Sequence, residues 1–195
     1  MQADYRRPVA EGGGSVNPVS VPGDRRIVTR MTHPTPLPTV PGQESVWDYP
    51  RPPRVEAVDA RVSIALGGAP IVDTRDVLRV LETSHPPVYY LLIDDFVPGT
   101  VVPAAGSSFC EFKGSARYYD LVAGPHRAVH AAWEYPSPSP GFEELSGRIA
   151  VYAGLVEACT VDGEPVEPQP GGFYGGWITS NVVGPFKGGP GSFGW

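Results

Sequence analysis

Arg54-Val55-Glu56-Ala57-Val58, Arg61-Val62-Ser63-Ile64-Ala65-Leu66, Gly67-Gly68 and Ala69-Pro70-Ile71-Val72-Asp73 follow one another in the chain and carry the pattern of a β-fold. Apolar and polar residues alternate with period two through the first two runs, the mark of strands with one buried face. The Gly-Gly pair is a hairpin signal, because tight hairpin turns need positive φ. The third run is the return strand. Val77, Leu78 and Leu81 beyond it suit a short helix capped by Asp73 or Thr74, and equally a further strand.

Further along the chain, His85-Pro86-Pro87 turns into the apolar run Val88-Tyr89-Tyr90-Leu91-Leu92. Strands are predicted over residues 109–113, 116–123, 128–135, 149–152 and 156–161. Turns fall at Gly124-Pro125 and Asp162-Gly163, and residues 141–145 suit one helical turn. Many short strands, Gly and Pro turns and no long helix predict an all-β fold of sandwich or barrel-like type.

The domain is expected over residues 44–195 of the 195. Residues 1–43 are rich in Pro, Gly, Val and Arg without hydrophobic periodicity, and are read as a disordered leader. Met31 lies inside it and is a candidate true start, which mass spectrometry of the native N-terminus checks: peptides upstream of Met31 would refute it. The Gly-rich end, residues 168–195, differs from the leader because Phe173, Tyr174, Trp177, Phe186, Phe193 and Trp195 recur along it. Each large ring buries about 150–250 Å², so this tail is expected to lie against the domain.

A net charge of −6 with scattered Lys and Arg lacks the basic footprint of a nucleic-acid binder. No apolar run approaches the roughly 20 residues of a membrane helix. Cys110 and Cys159 make neither a disulfide framework nor a zinc motif, and a reduced, cytoplasmic protein is expected. No metal and no cofactor are expected.

Several motifs in order make a family resemblance specific. They are residues 44–53 (Glu-Ser-Val-Trp-Asp-Tyr-Pro-Arg-Pro-Pro), Leu81 to Tyr90, Phe109 to Tyr119, Ala132 to Pro136, Pro168 to Trp177 and Val183 to Gly188. This pattern resembles the bacterial domain of unknown function 427 family, sometimes labelled nucleotidyltransferase. The resemblance implies a β-tent type fold, two antiparallel sheets meeting at an angle with one or two short helical turns. Relatives of that fold often carry zinc on paired cysteines, which this chain lacks.

No motif fixes an activity. Cys110-Glu111-Phe112-Lys113 is the best candidate for chemistry. On a strand, Cys110 and Phe112 face one side and Glu111 and Lys113 the other. A nucleophilic thiol would need an activator such as His85 or His130; the plain alternative is a buried apolar cysteine. Tyr90, Tyr118, Trp133, Tyr135 and Trp177 are candidates to line a pocket for a small organic ligand, and each tyrosine pair must split across its strand. The plain alternative for these rings is core. His85 in its turn, and Asp94-Asp95, read most simply as local turn residues. Residues 184–191 lack the order of a phosphate loop. Three functions stay open: a small-molecule binding module, an enzyme on a small metabolite using Cys110 or a Glu/Lys/His set, and a structural or protein-interaction module.

Overall fold

The computed structural model describes residues 34–192 and 194–195. The Met31 start and the leader through residue 33 lie outside the described residues. In chain order the described strands are β1 (Glu44–Ser45), β2 (Arg54–Val58), β3 (Val62–Leu66), β4 (Ala69–Thr74), β5 (Val77–Leu81), β6 (Val88–Leu92), β7 (Val101–Cys110) and β8 (Gly114–Ala123). They continue with β9 (His126–Glu134), β10 (Arg148–Val151), β11 (Ala158–Val161), β12 (Glu164–Pro165), β13 (Glu167–Pro168), β14 (Trp177–Ile178) and β15 (Val182–Val183). The helical elements among the described residues are 3-10 turns at Ile93–Asp95, Glu143–Leu145 and Ala153–Leu155. The fold is all-β, built of several antiparallel sheets with only short helical turns.

Of the two alternating runs, β3 behaves as its pattern requires, with Val62, Ile64 and Leu66 buried, whereas β2 forms a strand without a fully buried residue. β3 and β4 form a hairpin about Gly67-Gly68, with φ of 69° and 79°. They join β11 and β12 in a four-stranded sheet of order β12-β11-β3-β4. The large sheet has seven strands in the order β2-β5-β6-β10-β9-β8-β7, paired antiparallel throughout.

The open choice at residues 77–81 resolves as strand. β5 lies between β2 and β6 in the large sheet, and both of its faces are covered, with Val77 and Leu81 buried on one side and Leu78 and Val80 on the other. A strand covered on both faces reads as a continuous apolar run rather than an alternating one.

The expected strand at 109–113 is corrected. It belongs to β7, which starts at Val101 and ends at Cys110, and residues 111–113 form a turn. Gly114, at φ 95°, closes this three-residue loop, as such hairpins demand. Pro103 and Gly106 hid the rest of β7 in the sequence. Both are tolerated because β7 is an edge strand with an irregularity between Pro103 and Ser107.

The large sheet separates two cores. On one face Tyr89, Leu121, Ile149 and Val151 pack with Ile64, Val72 and Cys159 of the four-stranded sheet. On the other, Leu78, Tyr90, Ala116, Trp133, Tyr135, Phe142, Leu145 and Ala150 form a second cluster. The tail is tied down at several points. β14 pairs with β13 and β15 with β1, the last pair parallel. The Trp177 and Lys187 amides donate to the Pro87 and Ser84 carbonyls at 2.8 and 2.9 Å. Residues 34–43 carry no strand, yet the Leu37 amide donates to the Gly184 carbonyl at 3.0 Å.

Candidate functional site

Antiparallel register builds the site's floor. Across the second face of the large sheet, Tyr118 lies opposite Trp133, Trp133 opposite Ala150, Ala150 opposite Tyr90, and Tyr90 opposite Leu78. The small Ala150 between two large neighbours lets their rings meet. Tyr90 and Trp133 stand edge to face, with centroids 6.4 Å apart. Tyr152, just beyond β10, closes on Trp133 at 4.4 Å.

Over this floor lies a cleft of about 360 Å³. Its walls come from four places: Arg51 before β2, five side chains between Glu82 and Tyr90, the end of β7 and its turn over residues 108–113, and the tail at Gln169, residues 172–175 and Lys187. The tail reaches the rings through glycine. A Cβ on Gly175 would fall onto the indole of Trp133, and one on Gly176 would sit 2.6 Å from the Pro86 carbonyl oxygen. Gln169 fixes this crossing, accepting from the Gly176 amide at 3.0 Å and donating to the Lys187 carbonyl at 2.7 Å.

One end of the cleft is charged. Arg51 contacts Glu82 at 3.4 Å and Glu111 at 2.9 Å, while the Lys113 ammonium stands 3.8 Å from Glu82. Lys187 donates to the Trp195 carbonyl at 2.7 Å and lies over the Tyr174 ring. His85 is buried, with Tyr174 edge-on at 4.7 Å. Its Nδ1–H donates to the Thr83 carbonyl at 2.9 Å, which leaves Nε2 as the ring's acceptor. Burial pushes the imidazole below its ordinary pKa, Glu82 opposes this, and Lys187 and Lys113 reinforce it. Burial also holds the phenols neutral: Tyr90 and Tyr135 are raised well above the ordinary phenol range, and Tyr152 to about 12.

The sequence candidates fall as follows. Tyr90, Tyr118, Trp133, Tyr135, His85, Cys110, Glu111 and Lys113 all line the cleft. Alternation placed Glu111 and Lys113 opposite Cys110 and Phe112; the turn instead brings all four to one side. The tyrosine pairs split as a strand requires, Tyr89 and Tyr119 to the inter-sheet core and Tyr90 and Tyr118 to the cleft face. Trp177 does not line the cleft. It is 1% exposed in the inter-sheet core, beside Tyr89, with its indole N–H donating to the Val151 carbonyl at 2.9 Å. Cys110 is half-buried and meets the Tyr135 hydroxyl, whereas Cys159 is buried and its thiol pushed up to about 12. Asp95 accepts from the Thr74 hydroxyl at 2.6 Å, away from the cleft.

Sequence reasoning missed Arg51, Tyr152, Phe173, Tyr174 and Lys187 as walls. Tyr152 continues the two-residue period of Ala150, and that signal was readable. Arg51 and the tail residues reach the cleft only through tertiary folding. Among the described residues, no three His, Cys, Asp or Glu side chains stand close enough to hold a metal ion, and no helix is long and apolar enough to cross a membrane.

Fold and site together define an all-β domain with an aromatic-floored, charge-rimmed cleft on one face of its large sheet. The model of the family described as domain of unknown function DUF427 matches residues 54–162, more than half of the chain, and the chain belongs to that family. No curated protein matches the chain. The cleft extends beyond the matched span, since Arg51, Gln169, Phe173, Tyr174 and Lys187 all lie outside it.

Proposed function

We propose that this domain is a binding module that holds a small organic molecule in the aromatic-floored cleft. The observation that carries the reading is the cleft itself. Its volume of about 360 Å³ falls in the range of small-molecule sites, which combine apolar walls with a few convergent polar groups. Tyr90, Trp133 and Tyr152 supply the walls, and His85, Lys113 and Glu82 the polar groups. Cys110 is taken as wall rather than nucleophile. Its hydroxyl neighbour, Tyr135, is held by burial as the neutral phenol, so no phenolate stands ready to take the thiol proton.

A thermal-shift screen of metabolites against the full chain tests the reading. A ligand that binds only the native state adds about 2.7 kcal/mol of stability at a hundred times its Kd. A stabiliser whose effect disappears in Trp133→Ala is the expected result. A broad screen without any stabiliser would count against the proposal.

A further inference from the structure

Lys113 is the odd side chain of the cleft. It is only 8% exposed, yet among the described residues its ammonium has no hydrogen-bond acceptor within reach, Glu82 standing 3.8 Å away and the Phe142 ring 5.9 Å. Its stem is enclosed while the residue lines the cleft, and an ammonium carries three donors that are ordinarily paired. Its neighbours compound the imbalance. Lys187 and Arg51 line the same cleft, His85 presents an unprotonated Nε2, and the carboxylates facing them are Glu82 and Glu111. Glu111 is already taken by Arg51 at 2.9 Å, and Glu82 is shared between Arg51 and Lys113. The charged end thus sets Arg51, Lys113 and Lys187 against Glu82 and Glu111, with Lys187 already held by the Trp195 oxygen and Lys113 left without a close acceptor, next to a floor of edge-to-face and tilted rings.

Resting on the binding reading above, we propose that the ligand is a planar, unsaturated molecule bearing one acidic group. The ring lies on Trp133, Tyr90 and Tyr152, and the acid accepts from Lys113 at the end lined by His85 and Lys187. An aromatic floor alone would also suit an organic cation. The three cations on the rim favour the anion, because a like charge brought among them is repelled while a carboxylate completes the Lys113 hydrogen bonds.

Three probes with one ring and different charges test this: indole-3-acetate, indole-3-acetamide and tryptamine, titrated calorimetrically into the full chain. The acid is expected to bind about tenfold or more tighter than the amide, as a charge-assisted hydrogen bond allows, and the amine weakest. Lys113→Met should abolish the preference for acid over amide while leaving amide binding in place. Glu82→Gln, which frees Lys113 from its competitor, should tighten the acid severalfold and raise the ratio of acid to amide affinity, a gain that misfolding cannot imitate. Equal binding of acid and amide, or tighter binding of the amine, overturns the acidic-ligand assignment and leaves the pocket standing. Failure of all three probes to bind at about millimolar concentration overturns the assignment. If the metabolite screen is empty as well, the pocket reading falls with it.

Discussion

His85 is held neutral by burial, with Glu82, Lys187 and Lys113 acting on it. A histidine with a depressed folded pKa makes its full contribution above its unfolded value near 6.5, and that contribution is lost as the pH falls through the lower folded value, because the unfolded chain then binds the proton first. Melting temperatures of wild type and His85→Asn, compared from pH 7 to pH 5, should diverge, wild type falling more steeply. Parallel curves would show that the imidazole does not titrate across unfolding. Substitution of Gly175 by alanine drives a methyl into the Trp133 ring, an overpacking that costs about 1–3 kcal/mol. Gly175→Ala should lower the urea midpoint by a corresponding amount and weaken any cleft ligand. An unchanged midpoint would mean that the tail crosses the rings less closely.

At the scale of elements, the sequence made β3 and β4 plain because alternation and a Gly-Gly turn are both local signals. It concealed β7, because Pro103 and Gly106 look like breaks until the strand is known to lie at an edge. It also mistook Trp177. A ring on a strand has a buried side in either case, and nothing local distinguishes the inter-sheet core from the cleft face. The tyrosine pairs were legible for the opposite reason: two adjacent rings must occupy both faces, so one of each pair had to reach the cleft side. For the tail the rings outweighed the glycines. Trp177 in particular is enclosed, hydrogen-bonded to Val151 and packed on Tyr89. Trp177→Ala is therefore expected to cost about 3–5 kcal/mol, whereas Phe173→Ala, at a ring 75% exposed, should leave stability nearly unchanged. Chemical denaturation of the two variants side by side checks this. Equal losses would contradict the division of the tail into an anchor and a rim.

For the whole described molecule the large sheet is the shared element. Its strands contribute at once to the inter-sheet core and to the cleft floor: in β10, Ile149 and Val151 face the first and Ala150 the second. The cleft floor therefore stays in place while the sheet survives, and loss of the inter-sheet core is expected to take the floor with it. The four tryptophans report on this from different places. Trp133 lies on the cleft floor, Trp177 in the inter-sheet core, and Trp47 meets Trp195 at 5.8 Å. Tryptophan fluorescence and far-ultraviolet dichroism should then follow one coincident unfolding transition, the usual test of two-state behaviour. Ile64→Ala, a fully buried change on the four-stranded sheet, in the inter-sheet core rather than the cleft-side cluster, should cost about 2–5 kcal/mol and move both curves together. A fluorescence change well ahead of the dichroism would instead show that the cleft side opens separately. The two faces of the sheet would then be distinct cooperative units, and the tail, rather than the sheet, would set the stability of the site.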